Sequence, residues 1–128
     1  MTEIAGEYLG TITGGAYNEI MLNRELGVSV RVPETARFAN EPRQMLSKGT
    51  VDQIYLALRL ALVRVFSNSG ESIPMLLDDP FANYDDDRLR NALELLREVS
   101  KTNQIILFTC RDDVAKAGSK IGVEPIAL

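Results

Sequence analysis

Apolar residues recur along this chain at spacings that change character near residue 50. In residues 2–12, Ile4, Leu9 and Ile12 fall roughly on one side of a short helix, which Gly14-Gly15 stops. Residues 18–23 and 27–32 are predicted strands around Arg24-Glu25, a hairpin turn; Val28, Val30 and Val32 alternate with Ser29 and Arg31, so one face is expected to be buried. Pro33 and Pro42 bracket a stretch expected to be irregular. From Val51 to Phe66, residues including Ile54, Leu56, Leu58, Leu60, Leu62, Val63 and Val65 occupy nearly every side of a long helix, which Ser67-Asn68-Ser69-Gly70 ends. A helix that is apolar almost all round is one buried in a larger assembly.

Pro74 to Leu77 is apolar without polar alternation, the pattern of a parallel strand covered on both faces. Leu89, Ala92, Leu93, Leu96 and Val99 fall at helical spacing within Asp86–Ser100. Asp85, Asp86 and Asp87 stand at its start, where they can cap free N–H groups and meet the positive end of the helix dipole. Gln104–Thr109 is a second predicted strand, Asp112–Ser119 a short helix and Val123–Ile126 a last strand. Strand, helix and strand over residues 74–109 leave room for a right-handed parallel crossover, so the second part of the chain reads as α/β. Ligands in such sheets sit at the carboxyl ends of the strands, which places Asp78-Asp79 beside Cys110-Arg111 as a candidate site.

Composition narrows the classes. A length of 128 residues, 45% of them hydrophobic and 25% charged, suits one globular domain. The net charge is −4, and the excess acid lies beyond residue 66, chiefly in Asp78-Asp79 and Asp85-Asp86-Asp87. No basic stripe of the kind that tracks nucleic acid is present. The chain has no histidine, which removes the commonest general base and the commonest zinc ligand. Its single cysteine, Cys110, cannot form an internal disulfide and is expected to be a small buried residue rather than a nucleophile. No apolar run is long enough for a membrane span and no signal-peptide pattern follows Met1, so a cytoplasmic location is expected.

Two segments carry candidate chemistry. Ile73-Pro-Met-Leu-Leu-Asp-Asp-Pro80 is an apolar strand ending in two acids. Nucleotide hydrolases hold magnesium in this way, with the first carboxylate, Asp78, on Mg2+ and the second, Asp79, polarising an attacking water; acids after a strand also simply cap the next element. Leu46-Ser-Lys-Gly-Thr-Val-Asp-Gln53 precedes the long apolar helix. Backbone N–H groups and the helix dipole make such an end an anion site, and Gly49 would let a phosphate approach; it is equally an ordinary helix start with Ser47 or Thr50 as N-cap.

Together these segments resemble the C-terminal half of ABC-type ATPase heads of the SMC/RecF/RecN group, above all the YhaN-like AAA proteins, whose signature is similar to Leu46-Ser-Lys-Gly-Thr-Val-Asp-Gln-Ile-Tyr-Leu-Ala-Leu-Arg-Leu-Ala61. The resemblance runs from Leu46 to Thr109 and is weaker over residues 1–45. It implies an ABC ATPase C-terminal lobe of the P-loop NTPase fold over 46–128, with a mainly parallel sheet flanked by helices. Residues 1–45 would then hold the end of a coiled coil and a small β-hairpin region. Ser47, Lys48 and Gly49 would form the signature loop that touches ATP held by the opposite head. Met75–Asp79 would be the Walker B strand, with Asp78 for Mg2+ and Asp79 catalytic. Asn83 and Asp85 would lie in the D-loop, and Ile105–Arg111 would be the switch strand and its loop. The sequence departs from the pattern twice: Asp79 replaces the usual glutamate, and Arg111 the usual histidine. Arginine can contact a γ-phosphate but cannot act as a neutral acceptor.

The phosphate-gripping string G-x-x-x-x-G-K-[ST] does not occur. In the family it lies in an N-terminal lobe beyond a long coiled coil. The resemblance therefore implies a lobe that is inactive alone and works with that N-terminal lobe, with a second head in a homodimer, and through the complete protein with DNA, in repair or chromosome maintenance and away from membranes. A binding or regulatory module that keeps the fold without catalysis is the second reading, and an unrelated α/β domain the third.

Overall fold

The computed structural model describes residues 1–35 and 37–128. The chain opens with helix α1 (Thr2–Ile12), whose Ala5, Leu9 and Ile12 are fully buried. Thr13 closes the helix: its hydroxyl donates to the Leu9 carbonyl at 2.8 Å and accepts from the Tyr17 N–H at 3.1 Å. Gly14 and Gly15, both at positive φ, then reverse the chain across α1. The return is tight, since a Cβ on Gly6 would lie 2.5 Å from the Asn18 carbonyl oxygen.

Strands β1 (Ile20–Leu22), β2 (Val28–Val32) and β3 (Arg37–Ala39) form an antiparallel sheet in that order. Asn23 shapes the expected hairpin turn, its side-chain oxygen accepting from the N–H groups of Glu25 and Gly27. Ile20, Val30 and Ala39 lie opposite one another and make the buried row. The stretch between Pro33 and Pro42, expected to be irregular, contains β3. Only Phe38 and Ala39 mark it in sequence, too short a run to show a period.

A four-residue helix α2 (Pro42–Met45) leads into α3 (Lys48–Asn68), the long helix. It is not apolar to the core all round: Gln53, Ile54, Ala57, Leu60 and Ala61 are buried, whereas Tyr55, Leu62, Val65 and Phe66 are exposed. Strand β4 (Met75–Asp78), helix α4 (Asp86–Val99) and strand β5 (Ile105–Phe108) form the expected parallel crossover, with Asp78 opposite Phe108. Helix α5 (Asp112–Lys120) follows. Among the described residues no regular element follows it, so Val123–Ile126 is not a strand here and pairs with neither sheet.

One core joins these parts. α1 packs on α3 and α4, and their apolar faces share a cluster with Ile20, Val30, Met75, Leu77 and Phe81. The Asn91 amide on α4 reinforces this by donating to the Ile12 carbonyl at the end of α1. The β4–β5 sheet is covered on one face only, which corrects the expectation of two. Met75 and Leu77 point into the core, while Leu76, Ile106 and Phe108 on the other face are 59%, 38% and 45% exposed. Among the described residues no helix is long and apolar enough to cross a membrane.

Candidate functional site

The parallel register brings the ends of β4 and β5 together, and with them the acid pair and the loop after β5. Alternation along β4 turns Asp78 to the open face of the sheet, where it is exposed. Asp79 stands at φ 44°, a left-handed conformation that aspartate tolerates better than most residues. Its N–H still donates to the Phe108 carbonyl at 2.8 Å, so the strand pairing continues one residue past β4. The twist aims its carboxylate across at the end of β5, where it accepts from the Thr109 hydroxyl at 3.0 Å and lies 3.7 Å from the Cys110 sulfur. Cys110 is exposed, not buried as expected, because β5 ends before it and leaves it in the loop that leads to α5.

Arg111 feels the charge of Asp79 but forms no salt bridge with either acid of the pair among the described residues. Its Nε and Nη2 grip both carboxylate oxygens of Asp113 at 3.1 and 2.6 Å, and Nη1 donates to the Phe81 carbonyl at 2.6 Å. The fork raises the guanidinium pKa further and holds the Asp113 carboxyl below the usual carboxylate range. As placed, Arg111 ties the start of α5 to the loop after β4.

That loop, residues 79–85, is packed by its own aromatics: Phe81 and Tyr84 meet edge to face at 5.0 Å and both are buried. The Tyr84 hydroxyl has no hydrogen-bond partner among the described residues. Burial pushes its pKa well above the ordinary tyrosine value, with the negative Asp52 adding to the shift, so it stays neutral. The loop ends at Asp85, which caps α4 by accepting from the Arg88 N–H at 2.8 Å.

Ser47 caps α3, its side-chain oxygen accepting from the Thr50 N–H at 3.2 Å. Lys48 projects into solvent and forms no salt bridge among the described residues. Gly49 faces the loop after β4, and a Cβ there would lie 2.3 Å from the Asn83 carbonyl oxygen. The glycine that sequence reasoning reserved for a phosphate is thus already required by a backbone contact. Arg88 completes the seam, donating from Nη1 to Gln53 at 2.8 Å and to Thr50 at 3.2 Å.

The structure therefore assembles two groups: Asp78, Asp79, Thr109 and Cys110 at the strand ends, and Ser47, Gly49 and Asn83 at the start of α3, while Asp85 stands at the start of α4. Asp52 stands between the two groups, missed by sequence reasoning. It accepts from the Asn83 side-chain amide at 3.0 Å and lines a cavity of about 280 Å3 with Tyr55, Arg59, Asp78, Asp79, Pro80 and Ala82. The available signal was its spacing: Asp52, Tyr55 and Arg59 form one helical face that turns away from the core. A larger concavity, of about 870 Å3 between α1 and the antiparallel sheet, holds none of the expected site residues.

Among the described residues no three His, Cys, Asp or Glu side chains converge as a metal cage. A magnesium ion that bridges substrate phosphates needs only one or two carboxylates. The exposed Asp78 at the mouth of the cavity suits that donor set; Asp79 is already engaged by Thr109.

Comparison with known proteins agrees with this architecture. Over 122 residues the chain is 37% identical to the uncharacterized protein YhaN of Bacillus subtilis (strain 168), covering 91% of this chain and 12% of that protein. Over 80 residues it is 31% identical to the DNA double-strand break repair Rad50 ATPase of Methanococcus maripaludis, covering 62% of this chain and 8% of the other. It thus spans about an eighth or less of these relatives. No family model matches the chain. Among solved structures, an SMC head bound to the C-winged helix domain of ScpA superposes with a TM-score of 0.71 at 22% identity, over 91% of this chain and 36% of that one. The SMC head domain of Thermotoga maritima superposes at 0.64 with 27% identity, over 91% and 39%. The chain has the α/β fold of the C-terminal part of an SMC/Rad50-like ATPase head.

Proposed function

We propose that this chain is the C-terminal lobe of a cytoplasmic ATPase that binds and hydrolyses ATP between two associated heads, in DNA repair or chromosome maintenance, and that it turns over ATP only when joined to an N-terminal lobe carrying the P-loop. The observation that carries the reading is the meeting of the acid pair with the start of α3 at one end of the fold, bridged by the loop from Asp79 to Asp85. In this reading Ser47, Lys48 and Gly49 offer N–H groups and a positive helix end to a nucleotide held by the second head. Asp78 serves the nucleotide of its own head. Mg2+, when bound through Asp78, would neutralise developing charge on the phosphates. Asp79, fixed by Thr109, orients a water, and Asn83 and Asp85 shape the loop that faces the partner.

The N-terminal lobe also accounts for the uncovered side of β4–β5. Leu76, Ile106 and Phe108 form an apolar face on a sheet of only two strands, and such a face is stable when covered. One observation favours the second reading, a binding or regulatory module without catalysis: Arg111 is committed to Asp113 and Phe81, so among the described residues the loop after β5 forms no salt bridge with the acid pair.

The test mixes this chain with the N-terminal lobe of its parent and measures ATP turnover. Magnesium-dependent turnover is expected, falling by about 100-fold or more in Asp79→Asn with ATP binding retained. Ser47→Arg is expected to prevent ATP-dependent head association. Absence of turnover from two folded lobes would favour the non-catalytic module, and full turnover in Asp79→Asn would remove Asp79 from the chemistry.

A further inference from the structure

We propose that Asp52 is a positioning residue that locks the loop 82–85 onto the start of α3, so that both elements meet a second head as one rigid unit. The proposal rests on the head–head reading above and adds to it a residue outside the acid pair and the helix cap. Three contacts make the seam. The Asn83 carbonyl sits where a side chain on Gly49 would be, with 2.3 Å to an added Cβ, so the backbones of the two elements are in contact. One turn further along α3, Asp52 accepts from the Asn83 side-chain amide at 3.0 Å and fixes the rotation of that residue. Behind it, Arg88 of α4 donates to Thr50 and to Gln53, which is 1% exposed. Asn83 is therefore held by its main chain and by its side chain, both times by the first two turns of α3.

The chemistry of Asp52 selects this role over a structural one. The residue is exposed, so it adds little to the core. Its carboxylate faces the cavity that also holds Asp78 and Asp79, and the amide of Asn83 keeps it against the loop. Without that bond Asn83 keeps only the Gly49 contact, and the loop is free to turn about it. A pre-ordered loop meets a partner without the entropy cost of ordering. Asp52 should thus govern how readily heads associate, not the chemical step.

The experiment uses the complete head, this chain joined to its N-terminal lobe, and follows ATP turnover against head concentration. Asp52→Ala is expected to raise the concentration for half-maximal turnover roughly threefold to tenfold, the scale of one hydrogen bond, with maximal turnover within about twofold of the parent. Asp52→Asn keeps an acceptor for the Asn83 amide and is expected to restore the parent value. An unchanged half-maximal concentration in Asp52→Ala, or Asp52→Asn no better than Ala, overturns the proposal. Failure of the underlying reading is distinct: turnover would then be insensitive to Asp79→Asn and to Ser47→Arg as well.

Discussion

Gly49 and Asn83 are more than thirty residues apart in sequence, yet a Cβ on Gly49 would lie 2.3 Å from the Asn83 carbonyl oxygen. The obstacle is backbone, which cannot step aside as a long side chain can. Gly49→Ala should gain up to about 1 kcal/mol of helix propensity and lose about 1–3 kcal/mol to overpacking. A lower urea midpoint with an unchanged slope is expected, together with faster amide exchange in residues 82–85. Equal or greater stability would show that the loop yields easily.

Gln53 and Arg88 allow a sharper test. The Gln53 side chain is almost wholly buried, and Arg88 donates to its oxygen at 2.8 Å. Arg88→Met leaves that oxygen without its donor and should cost about 1–3 kcal/mol in equilibrium unfolding. Adding Gln53→Leu removes the orphaned group and should recover part of the loss, because replacing both partners of a buried bond by apolar groups is nearly neutral. A double variant as unstable as the sum of the singles would mean that the pair is not coupled.

Periodicity made most of the fold legible. The alternation of Val28, Val30 and Val32 located β2, and the spacing of Leu89, Ala92, Leu93 and Leu96 located α4 to within a residue. β3 escaped because three residues carry no period, and the Val123–Ile126 pattern did not become a strand because pairing is a property of neighbours. Apolar residues on every side of α3 and on both sides of β4 predict burial all round, but Leu62, Phe66, Leu76 and Phe108 are exposed, because composition does not show which side of an element has a neighbour to cover it. At the site, the strand-end acids and the Ser47 cap were visible as motifs. The direction of a side chain was not: nothing in the sequence turns Arg111 toward Asp113 and Phe81, or places Asp52 on Asn83.

The open sheet face leads to a prediction about association. Leu76 and Ile106 lie opposite each other, with Phe108 two residues further along. Their exposed area should drive self-association of the chain when it is alone. Leu76→Ser with Phe108→Ser should shift sedimentation profiles toward monomer and reduce binding of a dye that reports exposed apolar surface. The same pair of changes should weaken capture by the N-terminal lobe by about tenfold or more, each change removing a large apolar side chain from the contact. Unaltered capture would place the lobe elsewhere.

The Arg111–Asp113 fork sets a pH response. The Asp113 pKa is lowered from its ordinary 3.8, first by the hydrogen bond from Arg111 and then by that residue's charge against an opposing effect of desolvation. A carboxylate whose folded pKa is depressed contributes stability that is complete above the unfolded value and is lost as pH falls through the folded one. Because Arg111 stays charged throughout, the fork should be intact at neutral pH and open only below about 3.8. Both side chains are partly in solvent, so the effect should shrink as salt is added. Carboxyl carbon shifts would follow it directly: Asp113 should titrate below 3.8 in the parent chain and return toward that value in Arg111→Met. Backbone shifts of Phe81, whose carbonyl accepts from the same guanidinium, should move with the Asp113 titration. A parent midpoint at the ordinary value would mean that the fork is not held in solution, and Arg111 would then be free to reach the acid pair.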